Sequence, residues 1–224
     1  MAALVHSQHG VTLVGGAGFA PDDLELALSL APCLVAADGG ANGLADAGHF
    51  PQAIIGDIDS LRDDLRHRMQ AQIHRIDEQD STDFDKCLTN IDAPFILALG
   101  FSGARLDHTL ASMSSLVRFG SSRVVLLAEH DICFVAPPRL ELDTDEGQRV
   151  SLFPMGYCAG RSTGLHWPID GLDFAPYGVI GTSNMAVSTR ITLVFDAPRM
   201  LVMLPPTQLR ATLAALTASP DWPD

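Results

Sequence analysis

The sequence predicts an α/β protein in which an N-terminal, mostly parallel sheet with helices on both faces is followed by a smaller C-terminal all-β sandwich. Three observations carry this. Up to about residue 130, short β-branched runs alternate with helical stretches, the pattern of parallel strands joined by crossover helices. From Ile132 onward, short apolar segments separated by Pro, Gly and Asp replace that alternation, with little helical periodicity. A length of 224 residues fits one large domain or two small ones at about 150 residues per domain.

In the first part, the apolar runs at 11–14, 33–37, 53–55, 73–76, 95–99 and 124–128 predict strands. Helices are predicted over 22–30, 41–47, 61–69, 83–90 and 108–119, several opened by acidic or hydroxyl residues suited to capping. Strands interleaved with helices in this way form a Rossmann-like sheet, whose ligands bind just past the carboxyl ends of the strands. In the second part the strand candidates are ICFVA, RLELD, RVSLFP, GVIGT, ITLVFD and RMLVML. A short amphipathic helix is expected over 207–217, and the ending SPDWPD reads as frayed. The domains are accordingly 1–132 and 133–224, with no internal repeat.

With 14 Lys+Arg against 27 Asp+Glu the formal net charge is -13, so a polyanion meets repulsion and nucleic acid is excluded as a partner. No apolar run approaches the roughly 20 residues that span a bilayer, and MAALVHSQHG lacks the basic and apolar regions of a signal peptide. The expectation is a cytoplasmic protein with no membrane partner. Cys33, Cys87, Cys133 and Cys158 have no metal-ligand spacing and read as reduced, mostly core residues.

Polar residues gather at the predicted strand exits: GGAG (15–18), DGG (38–40), GDIDS (56–60), DSTDFDK (80–86) and GFSGARLDH (100–108). Singly, each is ordinary turn or cap chemistry. GDIDS is the sharpest, because Ile58 can tuck inward while Asp57 and Asp59 face one mouth, a donor pair suited to a hard cation such as Mg²⁺. Asp59 or Ser60 would also serve to cap a helix starting at Leu61. Thr82 is a cap candidate, with Asp83 and Lys86 one turn apart on one face. In the functional reading Asp83 completes the metal site and Lys86 neutralises phosphate charge; the plainer alternative is a surface ion pair. Arg105, Asp107 and His108 offer a phosphate fork, a carboxylate and a titratable group around one strand-to-helix turn, with a capped helix bearing an exposed Arg as the plainer alternative. Repulsion among Asp38, Asp57, Asp59, Asp83 and Asp107 requires Mg²⁺ if the ligand is a nucleotide. No GxxxxGK[ST] phosphate loop is present, and GGAGFA lacks the third glycine of a dinucleotide fingerprint. In the second part, Trp167 of GLHWPIDG is placed to stack on a heteroaromatic ring and Ser183 and Asn184 of GTSNMA to hydrogen-bond one, although Trp in a β-domain is commonly core and SN after Gly commonly a turn.

The ordered set DGG, GDIDS, STDFDK, GARLDH, GLHWP and TSN resembles the thiamine pyrophosphokinase family, over about residues 11–204. The resemblance implies an α/β nucleotide domain, a β-sandwich thiamine-binding domain and a homodimer with active sites between subunits. It implies transfer of the pyrophosphoryl group of ATP to the hydroxyethyl group of thiamine, with release of AMP. By match of motif, Asp57, Asp59 and Asp83 hold the metal, and Asp38, Thr82, Asp83, Lys86, Arg105 and His108 bind ATP. Asp107, Arg105 and Lys86 form the catalytic set, with Asp107 accepting the proton of the attacking hydroxyl; Trp167, Ser183 and Asn184 line the thiamine pocket. The chain departs from the family pattern at Ile58 (usually aromatic), Ala104 (usually Gly) and Ser112 (commonly Asn). A pyrophosphokinase for another hydroxymethyl heterocycle such as a pterin, and a non-catalytic binding module, remain as competing readings at this point.

Overall fold

The computed structural model describes residues 3–223, which divide into two compact units, 3–115 with Val125–Ala128, and Leu116–Val124 with 129–223.

The first unit holds β1 (Val5–His6), β2 (Val11–Val14), α1 (Pro21–Leu30), β3 (Cys33–Ala37), α2 (Gly40–Asp46), β4 (Ala53–Gly56), α3 (Asp63–Arg68), β5 (Ile73–Arg75), α4 (Asp83–Asn90), β6 (Ile91–Asp92), β7 (Ile96–Leu99), the first ten residues of α5 (Leu106–Arg118), and most of β8 (Val124–Leu127). β2 pairs in parallel with β7, and β3–β4–β5 form a parallel set. β3 runs beside β2, joined to it by a bridge from Val11 to Pro32. Every residue of β2, β3, β4 and β7 is buried, as expected of parallel strands covered on both faces. Leu24 of α1, Leu44 of α2 and Leu65 of α3 pack in one cluster with Leu34, Ala36 and Ile54 of the strands. The chain therefore leaves β2 toward β3 on one side and returns at β7 on the other, and at such a reversal of strand order two adjacent loops diverge and leave a crevice. β1 and β6 make a separate two-stranded parallel pair.

The second unit is antiparallel. β9 (Ile132–Val135), β11 (Arg149–Pro154), β14 (Gly181–Met185) and β16 (Met200–Leu204) lie in the order β14–β11–β16–β9, and β10 (Arg139–Asp143), β12 (Cys158–Thr163), β13 (Asp173–Phe174) and β15 (Arg190–Phe195) in the order β10–β15–β12–β13. Along β10 buried and exposed residues alternate, the signature of a strand with one covered face. α6 (Leu209–Ala218) packs on β10.

The structure departs from the sequence expectations at several places. GVIGT is not one strand: Val179 makes a single bridge to Phe174, and β14 begins at Gly181. The SN turn lies inside β14, where Ser183 takes φ +59° and three steps on β14 face two on β11, a bulge. β12 escapes the apolar criterion because CAGRST buries fully only Cys158. The tail is tied down rather than frayed: Arg123 bonds Asp221 at 2.8 Å, and the Trp222 indole N–H donates to the Ala136 carbonyl at 3.0 Å. Among the described residues no cysteine is in a disulfide, and all four are buried, Cys158 among them. Among the described residues no helix is long and apolar enough to cross a membrane.

Candidate active site

A cleft of about 680 Å³ opens where the loops after β2, β3, β4 and β7 meet the N-termini of α4 and α5. Its floor depends on two glycines. A Cβ on Gly15 would stand 2.6 Å from the Gly100 carbonyl oxygen, and one on Gly100 would stand 2.5 Å from that of Gly15. Gly100 has φ +73°, so the two loops cross in contact only because neither residue carries a side chain.

Three carboxylates converge at the cleft: Asp38 after β3 and Asp57 and Asp59 after β4 place oxygen atoms within 4.8 Å of one another. Ile58 makes this possible by adopting φ +66° while its side chain, 3% exposed, joins the core beside Leu61 and Leu65. A β-branched residue in that region is strained by about 1–3 kcal/mol, and burial of the side chain opposes the strain. Asp38 also has a positive φ and is 4% exposed; its Oδ2 accepts from the Ser60 N–H at 3.2 Å, while its buried Oδ1 has no hydrogen-bond partner among the described residues. Burial raises the Asp38 carboxyl above the ordinary range, whereas the Gln79 amide, donating to Asp57 Oδ2 at 3.1 Å, lowers that of Asp57. Adjacent carboxyls are thus pushed in opposite directions. An orphaned buried oxygen beside two more carboxylates is a hard-oxygen donor set, and these residues fit Mg²⁺.

Asp83 borders that trio. Its Oδ1 accepts from Lys86 Nζ at 3.2 Å, and the same ammonium lies 3.9 Å from Asp57 Oδ2. The Lys86 side chain is only 2% exposed, so this is not the surface pair that spacing alone allowed. Thr82 opens α4 with a capping box: its hydroxyl accepts from Asp85 N–H, and the Asp85 carboxylate accepts from Thr82 N–H, both at 3.1 Å. The cap expected from Asp59 or Ser60 on the helix after β4 does not form, since α3 starts at Asp63 after Arg62, and Ser60 donates its hydroxyl to Asp59 instead. Asn42 holds that loop, donating to the Ser60 carbonyl and accepting from Arg62 N–H.

Arg105, Asp107 and His108 line the cleft at the start of α5. Arg105 and Asp107 form an exposed bidentate pair, at 3.1 Å through Nε and 2.5 Å through the second nitrogen. The guanidinium lowers the Asp107 carboxyl below the ordinary range. Ala104 has no left-handed backbone; Gly103, at φ +103°, supplies the turn. The buried Ser112 hydroxyl lies 2.8 Å from the Phe101 carbonyl and 2.9 Å from that of His108, tying the loop to α5. Phe101 stacks on Phe84 at 4.2 Å. Nothing in the sequence singled out Gln79, Asn42 or the Phe84–Phe101 pair: each acts through a residue distant in sequence, and a lone amide or Phe carries no periodic or motif signal.

In the second unit Asn184 bonds the Trp167 backbone, and Ser183 precedes it on β14. The Trp167 side chain is 57% exposed and meets the His166 ring edge-on at 4.4 Å; Ser183 is exposed, and Asn184 is buried.

The family model for the thiamin pyrophosphokinase catalytic domain matches residues 24–127, and that for the thiamin pyrophosphokinase vitamin B1 binding domain matches residues 139–200. Thiamine pyrophosphokinase 1 of Oryza sativa subsp. japonica is 30% identical, over 73% of this chain and 75% of its own length. Its counterpart in Arabidopsis thaliana is 31% identical, over 72% and 73%. Among solved structures, thiamin pyrophosphokinase from Candida albicans superposes with a TM-score of 0.74 at 17% identity, covering 90% of this chain and 93% of that one. The yeast enzyme does so with a TM-score of 0.73 at 18% identity, covering 97% and 94%. At that identity the likeness is one of fold.

Proposed function

The chain belongs to the thiamine pyrophosphokinase family, and on that premise we propose that its cleft holds ATP and transfers the pyrophosphoryl group to the hydroxyethyl group of thiamine, giving thiamine diphosphate and AMP. The observation that carries this is the charge arrangement of the cleft. Three converging carboxylates and a buried lysine sit beside glycine loops and two helix N-termini, which suits a polyphosphate bridged to acidic residues by a divalent cation. Residues 1–132 are read as the ATP-binding domain and 133–224 as a β-sandwich that binds thiamine through Trp167 and Ser183. The parallel strand sets of the one and the antiparallel sheets of the other favour this division.

Asp38, Asp57 and Asp59 would hold Mg²⁺, with Asp83 bordering them through its shared lysine. When bound, the cation supplies charge neutralisation and phosphate orientation. The chain's own residues do the rest. Lys86 presents its ammonium at the N-terminus of α4, beside Thr82 and Asp83, where phosphate charge is favoured. Arg105 exchanges its pairing with Asp107 for a phosphate oxygen, which frees Asp107 to orient the thiamine hydroxyl. The hydroxyl oxygen forms a bond to the β-phosphorus as the bond from that phosphorus to the AMP oxygen breaks, and the hydroxyl proton passes to Asp107. Positioning and charge account for most of the acceleration. A homodimer is read from exposed Tyr157, Tyr177, Val179 and Ile180, and a cytoplasmic location from four cysteines outside any disulfide.

The test is chromatographic. Purified protein with Mg-ATP is expected to release AMP only when thiamine is added, and Asp57→Asn is expected to abolish this with its circular dichroism intact. Thiamine-dependent ADP, thiamine-independent turnover, or an active Asp57→Asn protein would refute the reading.

A further inference from the structure

Asn184 stands with Trp167 and Ser183 in the sequence motifs, yet its side chain is taken up by backbone groups. It is 4% exposed, its Oδ1 accepts from the N–H groups of Trp167 at 3.2 Å and Met185 at 2.8 Å, and its Nδ2 donates to the Trp167 carbonyl at 2.8 Å. One amide therefore satisfies both backbone groups of Trp167. The neighbouring backbone explains why. Val187 N–H donates to the Gly164 carbonyl and His166 N–H to that of Met185, both at 2.8 Å, and Leu165 bridges Ala186. Segments 164–166 and 185–187 thus run as a short antiparallel ladder. The ladder ends at Trp167, because Pro168 follows and has no N–H to continue it. Where backbone pairing stops, the Asn184 side chain takes its place, and the exposed indole projects from the last residue so held.

We infer that Asn184 is a positioning residue: it fixes the Trp167 backbone so that the indole presents a set face to the heteroaromatic ring of the substrate, and it makes no bond to that substrate. The inference rests on the reading of the protein as a thiamine pyrophosphokinase that stacks thiamine on Trp167. An amide is required because the site needs an acceptor and a donor side by side. Aspartate has the size of asparagine but sets an oxygen against the Trp167 carbonyl, so that edge becomes repulsive.

A mutant cycle separates action through Trp167 from direct contact. Asn184→Asp is expected to raise the thiamine KM about tenfold with kcat and the ATP KM within about twofold, since the lost interaction serves substrate binding alone. Trp167→Ala raises the thiamine KM by itself, and adding Asn184→Asp to it changes that KM by less than about twofold. Melting curves check that each variant is folded; where Asn184→Asp is not, Asn184→Ser enters the same cycle. Additive effects on KM would overturn the inference in favour of direct contact. A loss in kcat alone would overturn it in favour of a general structural role, as would an unchanged KM in Trp167→Ala. These outcomes leave thiamine-dependent AMP release by the unaltered protein intact; its absence would instead strike the functional reading and this inference together.

Discussion

Replacing Lys86 with methionine keeps the apolar stem and removes the charge that faces Asp83 at 3.2 Å and Asp57 at 3.9 Å. At an effective dielectric near 20, unit charges at those separations attract by about 5 and about 4 kcal/mol. Against this, the variant no longer buries an ammonium whose side chain is 2% exposed in the native protein, a desolvation cost of several kcal/mol. The two carboxylates also regain some hydration, being 33% and 18% exposed. The difference leaves Lys86→Met destabilised by about 2 kcal/mol at pH 7. The sign of the pH dependence follows from Asp57. Its carboxyl is held below the ordinary value, first by Gln79 and further by Lys86, so this stabilisation is present above the unfolded-state value and is lost as pH falls through the folded one. The deficit of the variant is therefore full at pH 7 and shrinks below about pH 4. Urea unfolding followed by circular dichroism, in EDTA at pH 7 and at a series of lower pH values, reads the effect. Equal midpoints for both proteins at pH 7, or a deficit that grows on acidification, would refute the reasoning.

Gly56→Ala is expected to lower turnover about 100-fold with the fold retained, since displacement of catalytic groups by about 1 Å has that effect. The added Cβ would stand 2.9 Å from both the Asp38 Cβ and Asp83 Oδ1, forcing the two acidic residues apart; thiamine-dependent AMP release measures it. Trp222→Ala is expected to lower stability by about 1–2 kcal/mol in urea, through the lost indole hydrogen bond and packing, and to leave turnover unchanged. A wild-type midpoint would mean that the tail does not anchor the second unit.

Much of the first unit was legible in the sequence because parallel strands buried on both faces are written as uninterrupted apolar runs. VTLV and CLVAA coincide with β2 and β3, and DFDKCLTN coincides with α4, announced by the Thr82 cap. Burial of Ile58 between two outward carboxylates was likewise readable from alternation alone. The second unit was less legible. CAGRST and GTSNM form half-exposed strands whose pairing is decided by partners on β15, β13 and β11, and a bulge at Ser183 has no signature beyond residues that also make turns.

By itself, the sequence determined which chemistry was available: glycines and acidic residues at successive strand exits, and a lysine one turn after an aspartate. These are local properties of spacing and residue type. Tertiary structure alone decided the partnerships. Asp38 joins Asp57 and Asp59 within 4.8 Å; Lys86 is buried between two carboxylates rather than exposed; the Asn184 amide bonds the Trp167 backbone. The physical reason is that burial and hydrogen-bond partners depend on chain segments brought together by the sheet. Asp38 and Asp57 are 19 positions apart in sequence, and only the pairing of β3 with β4 brings their carboxylates to one mouth.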